Sequence, residues 1–308
     1  MEEEHPVVHT YFWMSSTEVA RICSIASFKM YMRKTGVIFV GPSRLGKTRC
    51  CDILEKQTKI TCPRAYVLRL AAVNREGNSK ATIIQQLAFV LGVKPKVRDT
   101  RLKIFQMVVE RLEFNMRDHG RNQLILLIDE LQRFNCDDFY QLADLYNALD
   151  ERRVRMTVIS FAMPEIEDIR SDLSRSEQQQ IIARFMSEII PFNGLRSEQD
   201  IRVVLEYYDQ NSEFPPGSGI TYTQAFIPQA FGCGFRLGKL SGVLWKELNA
   251  VATGKYYKNL PMEHFMMCLK FILLVGERND SETFTITKSL ILEAIKESGL
   301  EEFCRKKE

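Results

Sequence analysis

The sequence predicts an α/β protein: a mostly parallel sheet covered by helices on both faces, followed by a mainly α-helical region. Three observations carry this. Short apolar runs alternate with stretches of three-to-four apolar spacing through about residue 195, a glycine-punctuated loop joins the first such run directly to a helix, and strand-like runs stop at Ser197. Strands that alternate with helices pair in parallel, and the crossover helices cover both faces. At 308 residues the chain is long enough for about two domains of ~150 residues.

Apolar and aromatic residues at Tyr11, Phe12, Val19, Ile22, Ile25, Phe28 and Met32 predict a helix within residues 10–34. Residues 35–40 read as a short buried strand, 47–57 as a helix, and 65–73 as a second strand. Helices follow over 80–91 and 100–118, and 124–129 is a third strand, apolar up to its closing Asp129. A helix over 137–150 leads to strands at 155–161 and 188–192. Helical patterns then dominate at 198–210, 237–252, 262–275 and 287–298, broken by the Pro- and Gly-rich turn at 214–219. The expected organisation is a helical lead-in (1–34), an α/β core (35–195), a helical domain (196–300) and a short, frayed tail (301–308).

The sharpest chemical signal is Gly41-Pro42-Ser43-Arg44-Leu45-Gly46-Lys47-Thr48, a full GxxxxGK[ST] match between a strand and a helix. Its glycines let the backbone curl so that amides point at a phosphate; Lys47 reaches the outer phosphates and the Thr48 hydroxyl binds Mg²⁺. The nucleotide-contacting set extends one turn into the helix to position 50, which is Cys50. A phosphate loop alone holds neither the metal nor a water. Leu124-Ile-Leu-Leu-Ile128-Asp129-Glu130, about 80 residues downstream, supplies two carboxylates at the end of an apolar strand. Asp129 supports the Mg²⁺ shell and Glu130 acts as general base toward the attacking water. The expected cofactors are therefore ATP and Mg²⁺, and the expected activity is slow ATP hydrolysis used as a switch.

The additional strand between the two motifs, and the Glu that follows the Asp, resemble the AAA+ class of P-loop ATPases. That resemblance implies a polar sensor ending the next strand, which falls on Ser160, and an arginine finger acting on the neighbouring protomer's nucleotide. Arg184 in Gln180-Ile-Ile-Ala-Arg184-Phe185 fits the finger, with Arg175 the runner-up, and a finger in trans implies a ring or filament of this chain. The helical region would be the AAA+ lid, with Arg236 at its phosphate-sensing position and Lys239 one turn on. The His9-Thr10 segment, Ile128-Asp-Glu-Leu-Gln132 and Met163-Pro164-Glu165 look like the TniB/TnsC family of transposition ATPases, a resemblance that covers about residues 9–200. It implies an ATP-dependent oligomer that binds duplex DNA, marks a target and recruits a transposase together with target-selector proteins, some members serving CRISPR-associated transposons. Leu131 stands where the family commonly has a smaller residue, and Ser160-Phe-Ala-Met replaces a glycine-containing turn, which touches sensor 1 and not nucleotide binding.

DNA has independent support at one place. Residues 94–103 carry five cations and one acid, including Lys96, Arg98, Arg101 and Lys103, between two helices. Such a loop tracks phosphates without reading bases; its alternative is a solvated charged loop. Two other readings stay open: another DNA-transaction ATPase of the replication initiator or loader kind, and a nucleotide-gated scaffold without a DNA role.

Composition sets the outer limits. Apolar residues make up 45% and charged residues 26% of the chain, and 42 basic against 39 acidic residues leave +3, an ordinary globular balance that announces no partner by itself. The longest apolar runs, Leu124 to Ile128 among them, are far short of the ~20 residues that span a bilayer, so no membrane is expected. The first residues carry no readable secretory signal, and a cytoplasmic location is expected. Eight scattered cysteines without a CxxC pair, with four histidines, complete no zinc pattern and read as reduced, mostly buried thiols. No carboxylate triad suggests strand cutting.

Overall fold

The computed structural model describes residues 5–9, 14, 16–73, 81–117 and 120–305. In chain order the elements are α1 (Pro6–His9), α2 (Thr17–Tyr31), β1 (Gly36–Val40), α3 (Lys47–Thr61), β2 (Ala65–Ala71), α4 (Ile83–Val90), α5 (Arg101–Arg117), β3 (Gln123–Asp129), α6 (Cys136–Glu151), β4 (Arg155–Ala162), α7 (Ile166–Arg175), α8 (Gln179–Phe185) and β5 (Ile189–Pro191). After the sheet come α9 (Glu198–Glu206), α10 (Tyr222–Phe226), α11 (Pro228–Gly232), α12 (Ser241–Val251), α13 (Met262–Arg278), α14 (Lys288–Glu297) and α15 (Leu300–Arg305). Two compact units result: Ile22–Pro42 with Lys47–Phe192, and Ser43–Gly46 with Asn193–Glu308 and the described part of Met1–Arg21.

The first unit is a five-stranded sheet in the order β2-β3-β4-β1-β5, parallel throughout. Leu124 to Ile128 of β3 are each 0% exposed. Burial on both faces explains why this strand is continuously apolar instead of alternating. Because all strands run the same way, the loops after β1, β3 and β4 emerge at one edge, the carboxyl edge where open α/β sheets bind ligands. Asn135 caps α6 by accepting from Asp138 N at 3.0 Å, while Asp138 returns a carboxylate to Asn135 N at 3.0 Å and offers its other oxygen to Ile83 N at 2.9 Å. That fully buried Asp138 therefore anchors the start of α4, and with it the α4–α5 insertion, to the start of α6.

In the helical unit, Asp209 is 3% exposed and accepts from Thr223 Oγ1 at 2.8 Å, Leu237 N at 3.1 Å and Gly238 N at 2.9 Å. Three separate segments are thus held by one carboxylate. His5 sits among Phe214, Tyr222 and Phe226 with ring centroids 4.7–4.8 Å apart, and burial lowers its pKa to about 4.

Several expectations shift. The helix expected within 10–34 is α2, with Tyr11 and Phe12 outside the described residues, as are Thr10, Lys80 and Asp118. Helices α7, α8, α10 and α11 fall where no helix was predicted, since at 5–10 residues they are too short for periodicity to register. The helix expected over 198–210 ends at Glu206 and continues as a π-helical turn, Tyr207–Asn211, and that over 237–252 opens as a 3₁₀ turn, Leu237–Leu240. The tail is not frayed through Arg305: Leu300 and Cys304, four apart on α15, are 1% and 2% exposed. Residues 306–308 lie outside the described chain. No helix of the described residues is long and apolar enough to cross a membrane.

Candidate nucleotide site

β1 delivers the chain to Gly41, whose N–H donates to Ala162 O at the end of β4 at 3.1 Å. The loop then turns through Arg44 (φ +66°) and Gly46 (φ +103°) into α3. The second of these conformations is one that only glycine adopts without strain, which is why the motif has glycine there. Lys47 opens α3 and is 6% exposed, its ammonium donating to Gly41 O at 2.7 Å and Pro42 O at 2.6 Å. The cation is thus held inside the curl of the loop. Within the helical unit, the loop tip is tied down by an Arg44–Glu263 ion pair, by Arg44 lying 5.1 Å over the Phe303 ring, and by Ser43 Oγ at 3.3 Å from Tyr256 OH. Leu45 is buried, at 3% exposure.

The second motif comes to the first through one contact. Asp129, at the end of β3 and 3% exposed, accepts a hydrogen bond from the Thr48 hydroxyl. Burial raises the Asp129 pKa, opposed by the Thr48 hydrogen bond and the Arg69 charge and reinforced by Glu130. Arg69 on β2 stands 3.7 Å from Asp129 and pairs with Asp52 of α3. The hydroxyl and carboxylate form a hard-oxygen pair suited to Mg²⁺, an ion usually held by one or two protein oxygens, phosphates and water. No group of three or more His, Cys, Asp or Glu able to hold a metal occurs among the described residues.

Glu130 follows in a left-handed conformation, φ +60° and ψ +42°, a strained state for a side chain other than Gly, Asn or Asp and one that clusters at functional sites. Its carboxylate accepts from Gln132 Nε2 at 2.9 Å and lies 3.3 Å from Arg133. Gln132 Oε1 in turn accepts from Met163 N at 3.0 Å, just past β4. Sequence reasoning assigned Gln132 no role, though it stands two residues from the proposed base; it missed Arg69 too, which no motif marks.

The other predicted residues divide. Ser160 is not at the strand end: β4 runs on to Ala162, and Ser160 is 1% exposed, level with Ile38 and Ile128. The polar group linking the end of β4 to Glu130 is Gln132. Cys50 is 0% exposed and hydrogen-bonds with Cys23, so position 50 faces the protein interior and not the loop. Arg184 donates to Asn147 Oδ1 at 2.9 Å and lies 4.8 Å over the Tyr146 ring, against α6 of its own unit. Arg175 is 79% exposed and pairs with Asp172 at 3.2 Å. Arg236 donates to Phe231 O at 2.8 Å and lies 3.7 Å over the Phe231 ring, at the carboxyl end of α11. Lys239 donates to Gly234 O at 3.0 Å. Lys96, Arg98, Arg101 and Lys103 are all exposed, but only the first two lie in the loop: Arg101 and Lys103 fall in the first turn of α5. The eight cysteines are free thiols; five are buried, with Cys62 and Cys136 intermediate and Cys233 exposed.

This sheet order, with a phosphate loop after β1 and an Asp-Glu pair after β3, is the AAA+ P-loop fold. Residues 31–169 match the family model described as AAA domain. Among solved structures, the chain is similar to the Aeropyrum pernix ORC2 protein in ADPNP–ADP complexes (14% identity, 96% of this chain and 72% of that one, TM-score 0.59). It is similar as well to Cdc6p from Pyrobaculum aerophilum (13%, 90% and 66%, TM-score 0.56) and to A. pernix ORC1 in complex with DNA (13%, 91% and 65%, TM-score 0.53). At such identities the likeness is one of fold, and the chain spans about two thirds of the length of these proteins. No curated protein matches the sequence.

Proposed function

We propose that the protein is an ATP-gated, DNA-binding oligomer in which nucleotide state controls how long the assembly persists on duplex DNA. The observation that carries the reading is the hydrogen bond from Thr48 to the buried Asp129 beside Lys47, with Glu130 next in the chain. Thr48 and Asp129 would hold Mg²⁺, which when bound neutralises phosphate charge. The loop amides and Lys47 would hold the triphosphate, and Glu130 would take the proton of the attacking water. Arg184 would complete a neighbour's site, and hydrolysis would release the contact between protomers. Lys96, Arg98, Arg101 and Lys103 would grip phosphates.

The finer reading is a regulator of transposition that marks target DNA and recruits a transposase, supported by the motif resemblance to TniB/TnsC proteins. Fold likeness to the ORC and Cdc6 structures, one of them in complex with DNA, supports a second reading as an initiator- or loader-like ATPase. The test is sedimentation of the full-length protein with duplex DNA and a non-hydrolysable ATP analogue, beside the Lys47→Ala variant. Co-sedimentation that needs both analogue and Lys47 is expected; a monomer without nucleotide affinity would overturn the proposal. Capture of a transposase, as against a helicase, by the assembled form separates the two finer readings.

A further inference from the structure

A second concentration of cations lies where the parallel strands begin, at the edge of the sheet opposite the phosphate loop. Arg64 immediately precedes β2, Arg121 lies just before β3, Arg153 and Arg155 stand at the start of β4, and Arg33 with Lys34 precedes β1. The order β2-β3-β4-β1 sets these segments side by side, so residues far apart in sequence form one row. Hydrogen bonds join the segments: Arg155 N to Asn122 O at 3.0 Å, the Arg33 guanidinium to Asn122 Oδ1 at 3.2 Å, and Arg121 Nε to Pro63 O at 3.3 Å. All six cations are exposed except Arg121, which is half-buried.

Little negative charge answers them. Arg155 pairs with Asp150 at 2.8 Å, and the nearby Glu113 is taken by Arg117 and Arg152. Arg33, Lys34, Arg64, Arg121 and Arg153 pair with no carboxylate among the described residues, whereas Arg170, Arg175 and Arg202 each find one within a helical turn. A face that served solubility alone would intersperse the two signs. The row fits a sugar–phosphate backbone: five of its six cations are arginine, whose planar fork binds phosphate oxygens in pairs. Four strands at ~4.8 Å spacing make a row ~14 Å across, and that length of duplex carries about eight phosphates.

We propose that this amino edge is a second, sequence-independent binding surface for duplex DNA, separate from the 94–103 loop. Helix α5 joins the two regions, and its 17 residues place its ends about 24 Å apart. The edge contact does not rest on the loop reading, so either can fail alone. The test is anisotropy of a labelled mixed-sequence duplex against salt, using full-length protein with Lys34→Ala, Arg64→Ala and Arg153→Asn combined. Asparagine is chosen because Arg153 has φ +59°, which asparagine tolerates.

The salt slope should fall by up to about 2.7, at ~0.9 per lost phosphate contact, and should add to the fall caused by neutralising the loop. A companion set, Lys34→Arg with Arg64→Lys and Arg153→Lys, should keep the slope, and it decides the matter should the first set melt early. An unchanged slope in the first set overturns the proposal. So does loss of binding to a labelled polyglutamate while duplex affinity is intact, which would assign the edge to an acidic protein.

Discussion

Gln132 should govern the rate of hydrolysis without governing nucleotide binding. Its Nε2 donates to Glu130 at 2.9 Å and its Oε1 accepts from Met163 N at 3.0 Å, so Gln132→Ala removes both restraints. A hydrogen bond to a charged group is worth about 1.5–3 kcal/mol. Glu130 keeps Arg133 at 3.3 Å, and its side chain is 26% exposed, which points to the lower end, about 1.5 kcal/mol. At ~1.4 kcal/mol per decade this is about a tenfold loss in turnover. The assay is steady-state ATPase activity with duplex present, beside the affinity of a fluorescent ATP analogue. The expected result is kcat down about tenfold with analogue Kd within about twofold of the parent. Unchanged kcat in Gln132→Ala, with Glu130→Gln inactive, would refute the idea that Gln132 positions the base; a parallel loss of affinity would show that it supports the loop instead.

Glu130→Gln should retain nucleotide and trap long-lived assemblies on DNA, while Lys47→Ala should lose both binding and assembly; sedimentation of the two variants side by side checks this, and equal behaviour counts against the scheme. Neutralising Lys96, Arg98, Arg101 and Lys103 together should lower the salt slope of duplex binding by up to ~3.6, at ~0.9 per contact, and an unchanged slope removes the loop from the interface. His5 gives a pH dependence. Burial lowers its pKa from 6.5 to about 4, so its stabilising effect is full above pH 6.5 and declines as pH falls toward about 4, where the unfolded chain holds the proton and the folded chain resists it. His5→Phe should flatten that part of the melting-temperature profile relative to the parent, and identical profiles would show that the aromatic surroundings do not keep this ring neutral.

Much of the sheet was legible because burial on both faces leaves an unmistakable record: β1 and the Leu124–Ile128 stretch of β3 are wholly apolar, the phosphate-loop motif following the one and the Asp129-Glu130 pair the other. The phosphate loop and the Asp129-Glu130 pair were legible because their backbone geometry demands particular residues at fixed spacing. Short helices such as α8 and α11 were not, because one or two turns of chain carry too few apolar positions to show a period. Gln132 and Arg69 escaped because their importance lies in what they touch: Arg69 reaches Asp52 and Asp129 across two other elements. The amino-edge cations escaped for a related reason. No local run of sequence is basic enough to notice; only the strand order assembles them. Position 50 misled because it follows the motif in sequence while its side chain turns toward Cys23.

The backbone at Glu130 carries a further consequence. A left-handed dihedral pair at a glutamate is a conformational expense of order 1 kcal/mol that glycine does not incur. On the proposed reading the chain tolerates a locally uncomfortable residue where its general base stands. Selection for heat resistance alone would then drift toward glycine here and remove the proposed base, so thermal robustness and the proposed hydrolysis pull in opposite directions at this position.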